Sequence, residues 1–458
     1  MIKFLFFVIF VASSLNATLV SRSFLDNDLK VLQDLDIDSS FLTDYKLQDR
    51  YKRLAYSKNR YKEHLNDASL FVPVLKEILK DNDIPDAFLY LVMAESNFTL
   101  SAKSKAKAMG LWQFMPATGK IYGLKQNLYV DERMDLVKST ESAIKYLKKL
   151  KKLFGKWYLA AIAYNCGEGR VIEALTRSTL DMYYLYDEKG YRADKRMQKY
   201  RQTIKDYQRK RVKFRELYKI YKVTKKMKYK PGINELLIVQ PNLSRQYLPS
   251  ESQDYIRKII SLALLNNSNY FLDHANSHLL NMGMLSPIAA VSVKGGTHIE
   301  DIAKVAGMKK KDLLALNLHI KQDIIPPYEK SYDIYIPYST LTRFNKNIVN
   351  MKPSKYYVHV VKSGESLASI GRKYKLPYKI IKTFNRLKTN FLSINQKLVI
   401  PIGRSKLPRP DTDYFVKAGD TLASIARSNK IRLVKLMKDN NLKSSMIRVG
   451  DKLVLRYE

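Results

Sequence analysis

Residues 84–119 read IPDAFLYLVMAESNFTLSAKSKAKAMGLWQFMPATG, and the fold turns on them. Pro85 at a first-turn position and Asp86 beside the positive end of a helix dipole predict a helix start. Phe88, Leu91, Val92 and Glu95 then share one stripe at helical spacing, so a carboxylate stands where an apolar side chain is expected. Taken alone, Glu95 reads as a helix-end acid with its head in water. Ser96-Asn97-Phe98 closes the helix, and a polar stretch with Ser101 and Ser104 leads to Gly110-Leu111-Trp112-Gln113-Phe114-Met115-Pro116. Further on stands Ala163-Tyr164-Asn165-Cys166-Gly167. Glycines that let the backbone approach closely, amide and phenol donors, and one acid make a mixture suited to a sugar. Trp112 reads as core or pocket wall.

Around this segment, 458 residues exceed one ordinary core and predict several domains. With 46% apolar and 11% aromatic residues, the chain is not of the disordered class. One cysteine, Cys166, excludes a disulfide scaffold, and six scattered histidines show no zinc spacing. No metal or other cofactor is expected. The 81 Lys and Arg against 43 Asp and Glu leave +38, which asks for an anionic partner: nucleic acid, membrane surface or acidic polymer. Met1-Ile2-Lys3, an apolar run from Phe4 to Ala12 and small residues up to Ala17 predict a Sec-type signal peptide over residues 1–17. That run falls short of the ~20 residues of a membrane span. An uncleaved anchor is the alternative and the sole expected route to a membrane. With no cysteine near the cut, a lipoprotein is not expected. Export points to the periplasm and argues against nucleic acid.

The C-terminal part repeats itself. Residues 360–400 align without a gap on 415–455, with 15 of 41 positions identical. Each copy predicts a strand, a Gly turn, two helices and a closing strand. A weaker copy begins at Val293-Lys294-Gly295-Gly296 and closes at Ile334-Tyr335-Ile336, with linkers expected near 339–355 and 403–412. Residues 177–245 hold 20 Lys and Arg against 7 Asp and Glu. There Tyr200, Tyr207, Phe214 and Tyr221 recur every seven residues beside Met197, Ile204, Arg211 and Tyr218, which predicts one long helix. It reads as an arm packing back on its domain, with a surface for an unknown protein partner as the alternative.

The repeats resemble the LysM module, a βααβ unit that binds cell-wall glycan. That resemblance places a shallow groove at Gly364-Glu365-Ser366 with Leu392-Ser393-Ile394, and at Gly419-Asp420-Thr421 with Ile447-Arg448-Val449. In the first copy His298 replaces the expected hydroxyl, so that copy is either a binder or a spacer. Glu95-Ser96, Gly110-Leu111-Trp112-Gln113, Ala163-Tyr164-Asn165 and Leu248-Pro249-Ser250-Glu251-Ser252-Gln253-Asp254-Tyr255 resemble the motifs of the family 1 lytic transglycosylases. The resemblance implies an α+β multidomain chain: a mainly α-helical, goose-type lysozyme-like catalytic domain over 18–275 with a basic helical insertion at about 177–245. A degenerate LysM-like module at 286–340 and LysM modules at 356–402 and 412–457 complete it.

What the family does then becomes the expectation. Glu95 would protonate the glycosidic oxygen between N-acetylmuramic acid and N-acetylglucosamine, then take the proton of the 6-hydroxyl as a 1,6-anhydro ring closes without water. Phe88, Leu91 and Val92 should desolvate Glu95 and raise its pKa toward working pH. Tyr164 is the expected hydrogen-bond partner of that carboxyl, and Tyr255, by its motif, is a second candidate aromatic hydroxyl near the site. Ser96, Ser104, Gly110, Gln113, Met115, Asn165 and Tyr255 are expected to line the sugar site, and Cys166, where the family has Ser, to pack. A muramidase that uses water would need a second carboxylate, for which Asp131, Glu132 and Asp135 are the nearby cluster. These three read more simply as a solvated helix start. A third reading is a wall-binding scaffold that is catalytically idle.

If the repeats deliver the catalytic domain to a polymer, deleting residues 356–458 should cut activity on insoluble sacculi far more than on soluble glycan fragments. Equal losses on both substrates, measured as released sugar, would contradict that role.

Overall fold

The computed structural model describes residues 26–239, 245–267, 287–327, 329–351, 357–401, 412–442 and 444–456. The expected signal peptide and most of the 403–412 linker lie outside them. Two compact units divide the chain, one formed by residues up to 289 apart from Leu128–Val130, the other by Leu128–Val130 and everything after 289.

In the first unit the described residues are mainly helical. The Ala87–Ser96 helix is apolar on every face: Ala87, Phe88, Leu89, Tyr90, Leu91, Val92 and Met93 are all buried. The single stripe expected from sequence therefore understates its burial; this is a central helix rather than a surface one. It closes on Asn97 in the left-handed region, φ 49. The long Leu136–Phe154 helix is capped by Asp135, whose carboxylate accepts from the Lys138 N–H at 2.9 Å, and stops at Gly155, φ +80. Trp157–Cys166 follows and packs on it, with Tyr158 to Ala163 buried.

After a long excursion the chain returns as the helix Ser250–Asn267, which packs on the helices Tyr45–Tyr56, Ala87–Ser96 and Trp157–Cys166. A buried ion pair fixes this return. The Arg257 guanidinium donates to both Asp44 oxygens, at 2.9 and 2.8 Å, with its side chain 3% exposed. Asp44 also accepts from the Leu47 N–H and caps Tyr45–Tyr56, so one carboxylate ties a helix start to the returning helix.

The basic excursion is not one long helix. It runs as Glu168–Tyr186, Glu188–Ala193, Lys195–Gln208 and Phe214–Thr224. Lys210 takes a left-handed conformation, φ 59, and the Lys210 and Arg211 N–H groups donate to the Tyr207 and Asp206 carbonyls. That pattern ends a helix and reverses the chain. Met197, Ile204 and Tyr221 of the heptad stripe are buried, and Lys195–Gln208 and Phe214–Thr224 pack on each other and on Glu168–Tyr186. Arg211 falls in the turn, the position at which the stripe loses its apolar character.

The second unit holds three small modules, each with two paired strands: Ile288–Lys294 with Ser331–Pro337, Tyr357–Val360 with Lys397–Ile400, and Thr412–Phe415 with Lys452–Leu455. The last two pairs are antiparallel. One residue explains why Asn recurs in all three copies. Asn317, Asn385 and Asn440 end the second helix and exchange two hydrogen bonds, all between 2.6 and 2.9 Å, with the backbone of Tyr335, Val399 and Val454 in the closing strand. The amide thus does for a lone strand edge what a neighbouring strand would do. Where a linker near 339–355 was expected, the helix Leu341–Ile348 packs on Ile299–Ala306 through buried Phe344, so the first module reaches beyond residue 340.

Arg257→Met keeps bulk but strands Asp44. The expected outcome is a loss of about 3 kcal/mol or more in urea unfolding. A loss below about 1 kcal/mol, the range of exposed pairs, would show that this tie does not hold the returning helix.

Candidate active site and glycan-binding loops

Glu95 lies in the last turn of its apolar helix, half-buried. Burial pushes its carboxyl up from an ordinary value near 4.5 to about 7, against the Tyr255 hydrogen bond and the Lys258 charge, which both pull it down. The Tyr255 hydroxyl, brought by the returning helix, donates to Glu95 Oε1 at 2.6 Å. Tyr164, expected to make that bond, does not. Its hydroxyl donates instead to the Trp112 carbonyl at 2.7 Å, while burial and the nearby Glu95 charge hold its pKa well above the usual phenol value. Its ring packs edge-on against Trp112 and Phe114 and lies 5.4 Å from Tyr146, a neighbour that the motifs do not mark. Trp112 is fully buried and donates to Thr140 at 2.9 Å, so it is a wall and not a stacking surface.

The Gly110–Gln113 turn needs its glycine. Gly110 has φ +82, and a Cβ there would stand 1.8 Å from the Arg133 carbonyl oxygen. Gln113, φ 47, donates its amide to the Ala102 and Gly110 carbonyls at 3.1 and 2.8 Å. Ser104 accepts from the Ala108 N–H at 3.0 Å. Both side chains therefore brace the loop. Ser96 is buried and donates to Val92 of its own helix. Asn165 accepts from the Ser252 hydroxyl at 2.6 Å, joining the Tyr164-Asn165 motif to the motif that carries Tyr255. Met115 is 43% exposed and free for contact. Burial raises the Cys166 thiol's pKa, which suits packing and not attack.

Asp131, Glu132 and Asp135 are buried rather than solvated. Asp131 is paired with the Arg133 guanidinium, Glu132 with Lys138 and the Lys125 N–H, and Asp135 caps its helix. Each is committed to structure. The carboxylate whose charge bears on Glu95 is Glu251, exposed in the first turn of the returning helix.

In the second and third modules the loop acids face inward. Glu365 accepts from the Lys362 N–H at 2.7 Å and meets His359 Nε2 at 2.7 Å, while His359 Nδ1 meets the Tyr374 hydroxyl at 2.8 Å. Asp420 accepts from the Lys417 N–H and from the Tyr414 hydroxyl, both at 2.8 Å. Tyr414 occupies the position of His359, so one loop shape is held by two chemistries. Ser366 and Thr421 cap the helices Leu367–Lys373 and Leu422–Ser428. Gly364 and Gly419, φ +81 and +86, make the turn before them. Beside polar residues such as Ser393 and Arg448, these loops expose apolar side chains at matching positions. Ile394 and Val449 are 62% and 69% exposed, and the unanticipated pair Phe391 and Met446, again at matching positions, 89% and 85%.

Residues 73–181 match the transglycosylase SLT domain, 359–401 and 414–456 the LysM domain, and 288–352 the domain described as "Lytic transglycosylase MltD, LysM-like domain". The membrane-bound lytic murein transglycosylase D of Escherichia coli (strain K12) is 24% identical over 430 residues, covering 89% of this chain and 81% of that protein. A putative tributyltin chloride resistance protein of Alteromonas sp. (strain M-1) is 38% identical over 104 residues, 22% of this chain and half of that one. An N-acetylmuramoyl-L-alanine amidase sle1 of Staphylococcus epidermidis is 39% identical over 97 residues, 21% of this chain and 30% of that one.

Because Glu95 binds a proton more tightly folded than unfolded, its contribution to stability is complete at low pH and is lost as pH rises through about 7. The melting temperature of Glu95→Gln should therefore exceed that of the wild type by a margin that widens from pH 5 to pH 8. A margin independent of pH would contradict the raised pKa.

Proposed function

We infer that this chain is a peptidoglycan lytic transglycosylase: an SLT-type catalytic domain followed by three LysM-type modules that direct it to the wall. The observation that carries this reading is a desolvated carboxyl, Glu95, held by a phenol among apolar walls. A general acid works best with a pKa near the working pH, and burial supplies that here.

The reaction follows from the groups present. Protonated Glu95 gives its proton to the glycosidic oxygen as the bond from C1 of N-acetylmuramic acid breaks. Positive charge develops at C1, and the muramyl N-acetyl group stabilises it. Glu95, now a carboxylate, accepts the proton of the 6-hydroxyl as O6 closes on C1. One group thus serves as acid and then base, and the Tyr255 hydroxyl at 2.6 Å steadies the charged form between the two steps. Retaining and inverting glycosidases instead divide these tasks between two carboxylates at set separations. Asp131, Glu132 and Asp135 are all committed elsewhere, which favours the one-acid route over a muramidase.

Met115 and the polar atoms around Gly110, Gln113, Ser104 and Asn165 form the sugar-binding edge in this reading. Gln113 and Ser104 bond within the loop itself and Asn165 bonds to Ser252, which preorganises this edge for a ligand. In the modules, Phe391, Ile394, Met446 and Val449 offer flat apolar contact to acetylated sugars at the rims of the capped loops. Two weak sites on one tether raise the local concentration of enzyme on a polymer. The +38 charge suits a wall whose peptides bear free carboxylates, an attraction that fades with salt beyond ~8 Å. The wall as substrate and the leader-like first residues support a periplasmic location.

Glu95→Gln should fold and bind peptidoglycan yet lose cleavage by at least about a hundredfold. The wild-type kcat/KM should fall as pH rises through about 7, since the acid must begin protonated. Turnover retained in purified Glu95→Gln protein would overturn the assignment.

A further inference from the structure

Lys258 stands one helical turn beyond Tyr255 on the returning helix, and both side chains reach the end of the Ala87–Ser96 helix. Its Nζ donates to the Ala94 carbonyl at 2.9 Å, the residue before Glu95. That carbonyl is one of the last four of its helix, which lack partners within the helix. Lys258 is half-buried, and among the described residues no carboxylate pairs with it. A half-buried ammonium without a counter-ion is costly unless its field falls on a charge. The carboxylate on which it acts is Glu95, while Arg50 and Arg60 repel it.

We propose that Lys258 is a positioning residue of the reaction, anchoring the carbonyl end of the catalytic helix and stabilising the Glu95 carboxylate that exists between proton donation and proton recovery. The proposal rests on the transglycosylase reading of the site. Lys258 exchanges no proton. The proton leaves Glu95 for the glycosidic oxygen as the C1–O bond breaks, and returns from the 6-hydroxyl as the O6–C1 bond forms. The other groups facing Glu95 are Tyr255, which donates to it, Tyr164, and Glu251, which opposes its ionisation. On the adjacent Val72–Asp81 helix, burial lowers the Lys76 pKa, and the carboxylate that bears on it is Asp86 and not Glu95. Lys258 is therefore the cation in position to ease the charge swing. Tyr255 holds one carboxylate oxygen; Lys258 supplies the compensating field.

Three full-length variants separate brace from field. Lys258→Gln keeps a donor for Ala94 but no charge, Lys258→Met keeps neither, and Lys258→Arg keeps both. With Gln and Met, the alkaline limb of kcat/KM should move up by about one pH unit and kcat at pH 6 should fall about tenfold. Arg should leave the limb in place. An activity-free readout runs beside this one: the loss of melting temperature with rising pH should extend to higher pH in Lys258→Gln than in the wild type. A Gln variant with the wild-type limb and the wild-type Tm–pH curve would overturn the proposal, whatever happens to the stability of Met. If the wild type itself released no glycan products, the functional reading would fall, while the Tm–pH curves would still decide whether Lys258 acts on Glu95.

Discussion

Withdrawal of one carboxyl from water is the constraint on which the first unit depends. Glu95 lies near the end of a helix that is otherwise mostly buried, so its ionised form is disfavoured and depends on support from the protein. Raising its pKa to about 7 costs the folded state roughly 3 kcal/mol above neutral pH, at about 1.4 kcal/mol per unit. Phe88, Leu91 and Val92 each contribute about 1.5–3 kcal/mol by burial in the same helix, enough to hold the acid there. Support for the charged form comes from outside the helix, through Tyr255. The returning helix that carries Tyr255 is in turn held by Arg257 on Asp44 and by Ser252 on Asn165. A chain of polar contacts thus sets the distance between acid and phenol.

The second unit solves a different problem. A two-stranded sheet and two short helices bury little surface, and the modules compensate with polar pins: an Asn to the closing strand in all three, and in the second and third a Ser or Thr helix cap and an inward acid in the loop. Glu365 and Asp420 thereby hold the shape of their loops, while Phe391, Ile394, Met446 and Val449 a short way along the chain stay exposed.

Much of this was legible beforehand, and the exceptions share a cause. The helix start at Pro85, its end at Asn97, the close backbone approach at Gly110 and the βααβ order follow from local rules that sequence displays directly. Glu95 stood out because it broke an apolar pattern. Which phenol would reach it was not readable, since Tyr164 and Tyr255 are both motif residues and the choice depends on how two distant helices pack. The acids at 131–135 looked solvated because nothing in sequence reveals that Arg133 and Lys138 fold back onto them. The one long helix expected from the stripe between Met197 and Tyr221 failed at Lys210, where a non-glycine residue adopts a left-handed turn. Phe391 and Met446 were overlooked although both copies place an apolar residue there; matched exposure, unlike matched burial, leaves no periodic signal.

The central claim, that one carboxyl acts twice and water is not consumed, is tested most directly by mass spectrometry of the soluble products that the wild-type protein releases from purified peptidoglycan. The account requires muropeptides ending in 1,6-anhydro-N-acetylmuramic acid, lighter by one water than the hydrolysed form. Reducing-end products would contradict it and would turn attention to Glu251 as a second carboxylate able to position a water.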